Sequence, residues 1–200
     1  MFTGIIQELG TVARVERRKG LVRLAVQAPK TAARVGPMES VSVSGTCLTV
    51  VDVRDGTLAF EMIPETQAGT ALARLKPGAR VHVEPSLSLA DRLGGHILLG
   101  HVDGVGTIVK RRQLPAELIL DVRVPGEVRR YLVPKGPVAV DGVSLTVGKT
   151  LGASTFSIHL IPETLRRTTL RDKRPGDRVN VEVDYLAKLV HQFASNGKRH

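Results

Sequence analysis

Two short polar pairs stand out for their chemistry: Cys47 with Thr49, and Ser144 with Thr146. Each pair lies at i and i+2, a spacing that puts both side chains on one face of a strand. The stretches that carry them, Ser44-Gly45-Thr46-Cys47-Leu48-Thr49-Val50 and Asp141-Gly142-Val143-Ser144-Leu145-Thr146-Val147, lie 97 residues apart and share Gly, Leu, Thr and Val in register. A Gly-containing turn before a short strand lifts the next side chains to the mouth of a sheet. Hydroxyl and thiol groups there suit holding a heteroaromatic ring by its edge, and a thiol in one copy against a hydroxyl in the other suggests two similar pockets with different jobs. The turns after Pro64 and Pro162 could add backbone N–H groups and a hydroxyl for the same ring or a polyol tail. Taken singly, none of these residues is diagnostic. Cys47 also fits a small buried hydrophobe, His101 a hydrogen-bonded histidine at a strand edge, Asp184 a helix cap, and Lys135 a solvated loop charge.

The elements that must position these groups repeat as well. Gly10-Thr11-Val12 matches Gly106-Thr107-Ile108 at an offset of 96 residues. Met62-Ile63-Pro64-Glu65-Thr66 matches Leu160-Ile161-Pro162-Glu163-Thr164 at 98, as Pro77-Gly78 through Glu84 matches Pro175-Gly176 through Glu182. Four blocks in one order mean a duplicated unit of about 97 residues, too long for a solenoid repeat. Alternation over Leu21–Val26, Ser40–Val43, Leu48–Val53, Thr57–Glu61 and Arg80–Glu84 predicts short strands, which suggests a small antiparallel barrel or sandwich per copy. Asp55-Gly56 is a hairpin signal, and Pro64 and Pro162 each fit the first position of a short helix. The divisions are expected at residues 1–95, 96–184 and 185–200. In the last, Leu186, Leu189, Val190 and Phe193 form one apolar stripe on a helix that Asp184 could cap. That stripe must pack on its own barrel or on another subunit, and the residues from Ser195 to His200 are expected to fray.

Bulk composition narrows the classes. With 42% hydrophobic and 24% charged residues the chain reads as a soluble globular protein, with no membrane-length apolar run and no signal pattern. The single cysteine excludes an internal disulfide and fits a reducing cytoplasm. A net charge of +10 raises nucleic acid as a partner, but the basic residues are scattered and only six Phe and Tyr are present, without the interleaving that stacks bases. No phosphate-binding loop, zinc spacing or nucleotide fingerprint is present, and His96 and His101 have no third ligand beside them.

Met1-Phe2-Thr3-Gly4-Ile5-Ile6, Cys47-Leu48-Thr49-Val50, Gly94-Gly95-His96 with Gly100-His101-Val102-Asp103-Gly104, Asp141 to Val147 and Leu160 to Thr164 together resemble the riboflavin synthase α-chain family of lumazine-binding repeat proteins. The resemblance covers essentially the whole chain. It implies an all-β fold of two tandem six-stranded Greek-key antiparallel barrels with a C-terminal α-helix, each barrel binding one 6,7-dimethyl-8-ribityllumazine. It further implies a cytoplasmic homotrimer built through the C-terminal helices, with the site between one subunit's N-terminal barrel and its neighbour's C-terminal barrel. One lumazine gives a four-carbon unit to another, yielding riboflavin and 5-amino-6-ribitylaminouracil without a cofactor. Association with lumazine synthase is a further family property, and some relatives bind the ligand without catalysis.

Residue by residue, the resemblance makes Ser144 and Cys47 candidates for the nucleophile or for positioning water, and His101 and Thr146 candidates for proton transfer. Asp184 and Ser40 match other site positions, Lys135 a ligand contact across the interface, and Phe2 a neighbour of the ring. The pockets would be lined by Gly4, Ile5, Ile6, Cys47, Leu48, Thr49, Glu61, Met62, Ile63, Pro64, Glu65 and Thr66, and by Gly100, His101, Val102, Ser144, Leu145, Thr146, His159, Leu160, Ile161, Pro162, Glu163 and Thr164. Departures from the family pattern are Ser44 before the first turn Gly, His82 where an Asn is common, Leu98-Leu99 before Gly100, and Pro137 after Lys135.

Overall fold

The computed structural model describes residues 1–196. The N-terminal repeat forms β1 (Glu8–Arg18), β2 (Leu21–Gln27), β3 (Ser40–Val43), β4 (Thr46–Arg54), β5 (Thr57–Met62) and β6 (Arg80–Pro85), with short helices α1 (Pro29–Ala32) and α2 (Pro64–Gly69). The second repeat forms β7 (Gly104–Gln113), β8 (Leu118–Arg123), β9 (Pro137–Val140), β10 (Val143–Leu151), β11 (Thr155–Leu160) and β12 (Arg178–Val183), with α3 (Gly126–Arg129) and α4 (Pro162–Arg167). Each set closes into a six-stranded barrel, in the orders β1-β2-β5-β4-β3-β6 and β7-β8-β11-β10-β9-β12, with every neighbouring pair antiparallel. Closure needs bent strands, and both copies bend at matching bulges: after Val12 and Ile108 in the first strand, after Val50 and Val147 in the fourth.

The expected alternation fills the two interiors. On β2, Val22, Leu24 and Val26 point inward; Phe60 and Phe156 are the largest fully buried groups of their respective barrels. Pro64 and Pro162 stand at the first positions of α2 and α4, and Asp55-Gly56 turns the β4–β5 hairpin with φ of 50° and 72°.

The barrels meet back to back through the two Gly turns. A Cβ placed on Gly45 would come within 2.6 Å of the Gly142 backbone nitrogen, and one on Gly142 within 2.6 Å of that of Gly45. Around this contact the strands exchange polar partners across the pseudo-twofold. Asn180 accepts from the Ala71 N–H (2.7 Å) and donates to the Ser44 carbonyl (2.7 Å). Its repeat mate His82 does the reverse trip, with Nδ1 on the Asp141 carbonyl (2.7 Å) and Nε2 accepting from the Thr169 N–H (2.9 Å). These partners fix a neutral ring protonated at Nδ1.

Burial lowers the pKa of His82 below 6.5, and the Asp141 charge only partly opposes it. The stability tied to this ring is therefore complete above pH 6.5 and is lost as pH falls below it. His82→Asn, which copies Asn180, should keep both bonds and flatten that acid-side decline. Thermal unfolding followed from about pH 5 to 8 in both proteins checks this.

The C-terminal helix α5 (Tyr185–Asn196) begins where Asp184 accepts from the Leu186 N–H (3.1 Å). It is tied to the second barrel by Lys188–Asp103 (2.7 Å) and by Tyr131 edge-on to His191. Its apolar stripe is not covered: Val190 is 68% and Phe193 75% exposed. The tail from residue 197 onward lies outside the described residues.

Candidate functional site

The turn-strand motifs do not stand alone; each is completed by the leading segment of the other repeat. The Ser144 N–H donates to the Gly4 carbonyl (2.9 Å), and the Cys47 N–H to the Gly100 carbonyl (2.8 Å). Both segments are held by a buried carboxylate. Glu84 on β6 accepts from the Thr3 N–H (2.8 Å), the Thr3 hydroxyl (2.7 Å) and the Gly4 N–H (3.0 Å). Glu182 on β12 accepts from the Leu99 N–H (2.7 Å) and the Gly100 N–H (3.0 Å). Burial raises both pKa values, that of Glu182 to about 7, against the pull of the backbone N–H groups.

The segment after Leu93 adds His96, whose Nδ1 lies 2.7 Å from Ser144 Oγ. Gly95 makes this approach possible: a Cβ there would fall 2.1 Å from the Thr3 carbonyl and 2.7 Å from the Ser144 Cβ. Burial lowers the His96 pKa, with Asp184 opposing, so the ring is neutral at pH 7 and can accept the Ser144 proton. Its other nitrogen, Nε2, is buried without a partner among the described residues.

Ser144 also opens onto a cavity of about 560 Å³ lined by Lys135, Leu145, Thr146, Gly148, Lys149, His159, Ile161 and Thr164. A second cavity of about 270 Å³ lies on its other side, between Gly4, Ile5, Ile6, Glu163, Thr164 and Arg167. Of the second repeat's candidates, Lys135, Ser144, Leu145, Thr146, His159, Ile161, Glu163 and Thr164 thus line these two cavities, with the Glu163 carboxylate held by Arg166 and Arg167.

Around the first repeat, Cys47, Thr49, Ser40, Glu61, Ile63, Glu65 and Thr66 are exposed or half-buried on the corresponding outer face, Ser40 directly opposite Thr49. Phe2 is buried with Leu98 and Ala139, and Cys47 packs against this cluster. Leu48, Met62 and Leu160 send their side chains into the barrel interiors, so only their backbone faces a cup. His101 is exposed and Val102 half-buried just beyond Gly100, and His101 has no hydrogen-bond partner among the described residues. The histidine within hydrogen-bond distance of Ser144 is His96, which sequence spacing passes over. Gly95 before it is the available signal, because the close approach to the Thr3 backbone leaves no room for a side chain there.

Two barrels that each carry a short polar pair and a Pro-Glu-Thr turn on an outer face crossed by the other repeat's leader segment, with cavities on either side of Ser144, define a double-barrel protein for binding ring compounds. A lumazine binding domain family model matches residues 3–86 and again 99–184. Riboflavin synthase of Mycobacterium tuberculosis is 43% identical over 197 residues, covering 96% of this chain and 98% of that protein. Riboflavin synthases of Chlamydia pneumoniae (41% identical, 99% of this chain and 100% of the relative) and Bacillus subtilis (35%, 96% and 89%) match over similar spans. Among solved structures, LumP complexed with riboflavin superposes with a TM-score of 0.85 at 23% identity, covering 92% of this chain and 99% of LumP. LumP complexed with 6,7-dimethyl-8-(1'-D-ribityl) lumazine gives 0.83 at 22%, with the same coverage. The chain belongs to the riboflavin synthase family of lumazine-binding proteins.

Proposed function

We propose that the chain makes riboflavin from two molecules of 6,7-dimethyl-8-ribityllumazine, releasing 5-amino-6-ribitylaminouracil. Donor and acceptor are one compound, which a duplicated ring-binding cup suits. The Ser144–His96 couple at the mouth of one cup is the observation that carries catalysis. Neutral His96 takes the Ser144 proton, leaving the oxygen able to receive a proton from the ring's C7 methyl or to direct a nucleophile to C7. Cys47 offers the corresponding group to the other cup, and the two carboxylate-held leader segments set the cup edges in place, so alignment of the rings supplies much of the rate. Thr146 and Lys135 line the Ser144 cup, and His101 and Asp184 are assigned to the wall between cups, where a second subunit would bring its own.

Mixing the purified chain with the lumazine alone and following flavin absorbance tests this reading. Riboflavin forming at one molecule per two lumazines consumed is expected. Ligand bound without turnover would instead favour a binding protein of the LumP kind.

The trimer belongs to the same proposal. The outward stripe of α5 needs a partner, and the cups face outward on a single chain, so three helices packed together would bring one N-terminal cup against the next C-terminal cup. Phe193→Asp should convert trimers to monomers in sedimentation, lowering turnover far more than lumazine binding. A variant that stays trimeric would remove α5 from the contact. The working compartment assigned with this reading is the cytoplasm; no helix among the described residues is long and apolar enough to cross a membrane.

A further inference from the structure

A cavity of about 420 Å³ lies on the seam between the barrels, and it shares no lining residue with either cavity beside Ser144. Ser44, Asp141, Thr169 and Asn180, which join the repeats through their hydrogen bonds, all belong to its wall. Four basic side chains face it, Arg74, Arg80, Lys173 and Arg178, against two carboxylates, Asp141 and Asp177. A cleft lined mainly by one sign of charge concentrates ions of the other sign.

Both carboxylates are already engaged. Asp141 accepts from Lys173 Nζ (2.8 Å) and from the Asn180 N–H (2.8 Å), and Asp177 accepts from the Arg174 N–H (2.7 Å). Lys173 also donates to the Arg178 carbonyl (3.2 Å). Among the described residues the side chains of Arg74, Arg80 and Arg178 have no carboxylate within salt-bridge distance and no hydrogen-bond acceptor. The positive field reaches His82, which is bonded to Asp141 and Thr169 of the wall: burial lowers its pKa first, and Lys173 and Arg80 lower it further against the pull of Asp141.

The free arginines follow the symmetry of the repeat. Arg80 and Arg178 are the first residues of β6 and β12, 98 residues apart, so one comes to the cavity from each barrel. A guanidinium fork matches the oxygens of a phosphoryl group, and two forks related by the pseudo-twofold match an anion with two such ends. The volume is that of a small-molecule site, larger than a lone phosphate needs. We propose that this seam cavity binds a diphosphate group, one phosphoryl on Arg80 and the other on Arg178, with Arg74 adding a third positive charge. Bound there, the anion ties one barrel to the other and relieves the repulsion among three like charges, so it stabilises the folded chain. The diphosphate is either the free anion or the part of a nucleotide that carries it.

Calorimetric titration of the whole chain with inorganic pyrophosphate, ADP and orthophosphate, all at one ionic strength, tests the site, with thermal unfolding as a second readout. One pyrophosphate per chain is expected, bound at least about tenfold more tightly than orthophosphate and raising Tm. ADP binding as tightly as pyrophosphate identifies a nucleotide ligand, and pyrophosphate binding alone identifies the free anion. Arg80→Gln with Arg178→Gln should weaken pyrophosphate binding about tenfold or more and abolish the rise in Tm. Both arginines are exposed, so the free variant should unfold where the unaltered chain does. The same loss of charge outside the cavity, Lys110→Gln with Arg123→Gln, should leave pyrophosphate affinity within about twofold, because salt screens distant surface charges. Equal weakening in the two double variants, orthophosphate bound as tightly as pyrophosphate, or no saturable binding of either diphosphate compound overturns the site.

Discussion

His96→Ala should lower turnover by about 10²–10⁴-fold, the usual weight of a positioned general base, with much less effect on lumazine affinity. The ring touches Ser144 Oγ at 2.7 Å and lines neither cavity, so its loss removes a proton acceptor rather than binding surface. The pH profile carries the signature. Because burial depresses the His96 pKa, the ring stays neutral below pH 6.5, and the acid limb of the rate should lie below that value. Ser144→Ala should cost a similar factor, and the double variant little more than either single one, since the two act as a unit. Steady-state rates and equilibrium titration of the three variants check this; additive losses would separate the two residues.

The second large effect is expected at Glu182. Its carboxylate accepts two backbone N–H groups from Leu99 and Gly100 while only 5% exposed, and Gly100 in turn receives the Cys47 N–H. Glu182→Gln keeps one acceptor and turns an amide N–H₂ toward the other donor, at a cost of about 1–3 kcal/mol for the group left unsatisfied. The loosened cup edge should also lower turnover by roughly 10–10²-fold, since small misplacements at a reacting pair are expensive. The pH dependence has a definite sign. With the native pKa raised from 4.5 to about 7, the native state holds the extra proton in that interval. The associated stability is complete below pH 4.5 and is lost as pH rises through about 7. Glu182→Gln, which cannot titrate, should flatten this slope in chemical denaturation. A variant with wild-type turnover and an unchanged slope would leave the carboxylate without a positioning role.

Much of the fold was legible because duplication let each repeat check the other. The five strands read from alternation in the first copy are all present, as are Pro64 and Pro162 at helix starts and Asp184 at the cap of α5. β1 was harder to see. Only Gly10 and Val12 of its eleven residues are buried, and Arg14, Glu16 and Arg18 pair with one another along its outer stretch, which blurs the period of two. The site was legible in its residue types but not in its connections. Nothing in the spacing of Gly4 and Ser144, or of Cys47 and Gly100, says that each leader crosses to the other barrel. That geometry depends on closure of both barrels and on the Gly45–Gly142 contact. His96 escaped for the same reason: forty-eight residues part it from Ser144, and only the folded chain joins them.

In the proposed trimer an N-terminal cup of one subunit works with a C-terminal cup of the next. Co-expressing a chain crippled in the first cup (Cys47→Trp) with one crippled in the second (Ser144→Trp) measures it directly. Random assembly of a heterologous ring leaves about a quarter of the cup pairs intact, so mixed trimers should regain about a quarter of wild-type turnover although each variant alone is inactive. Mixed trimers as inactive as their parents would contradict the shared site.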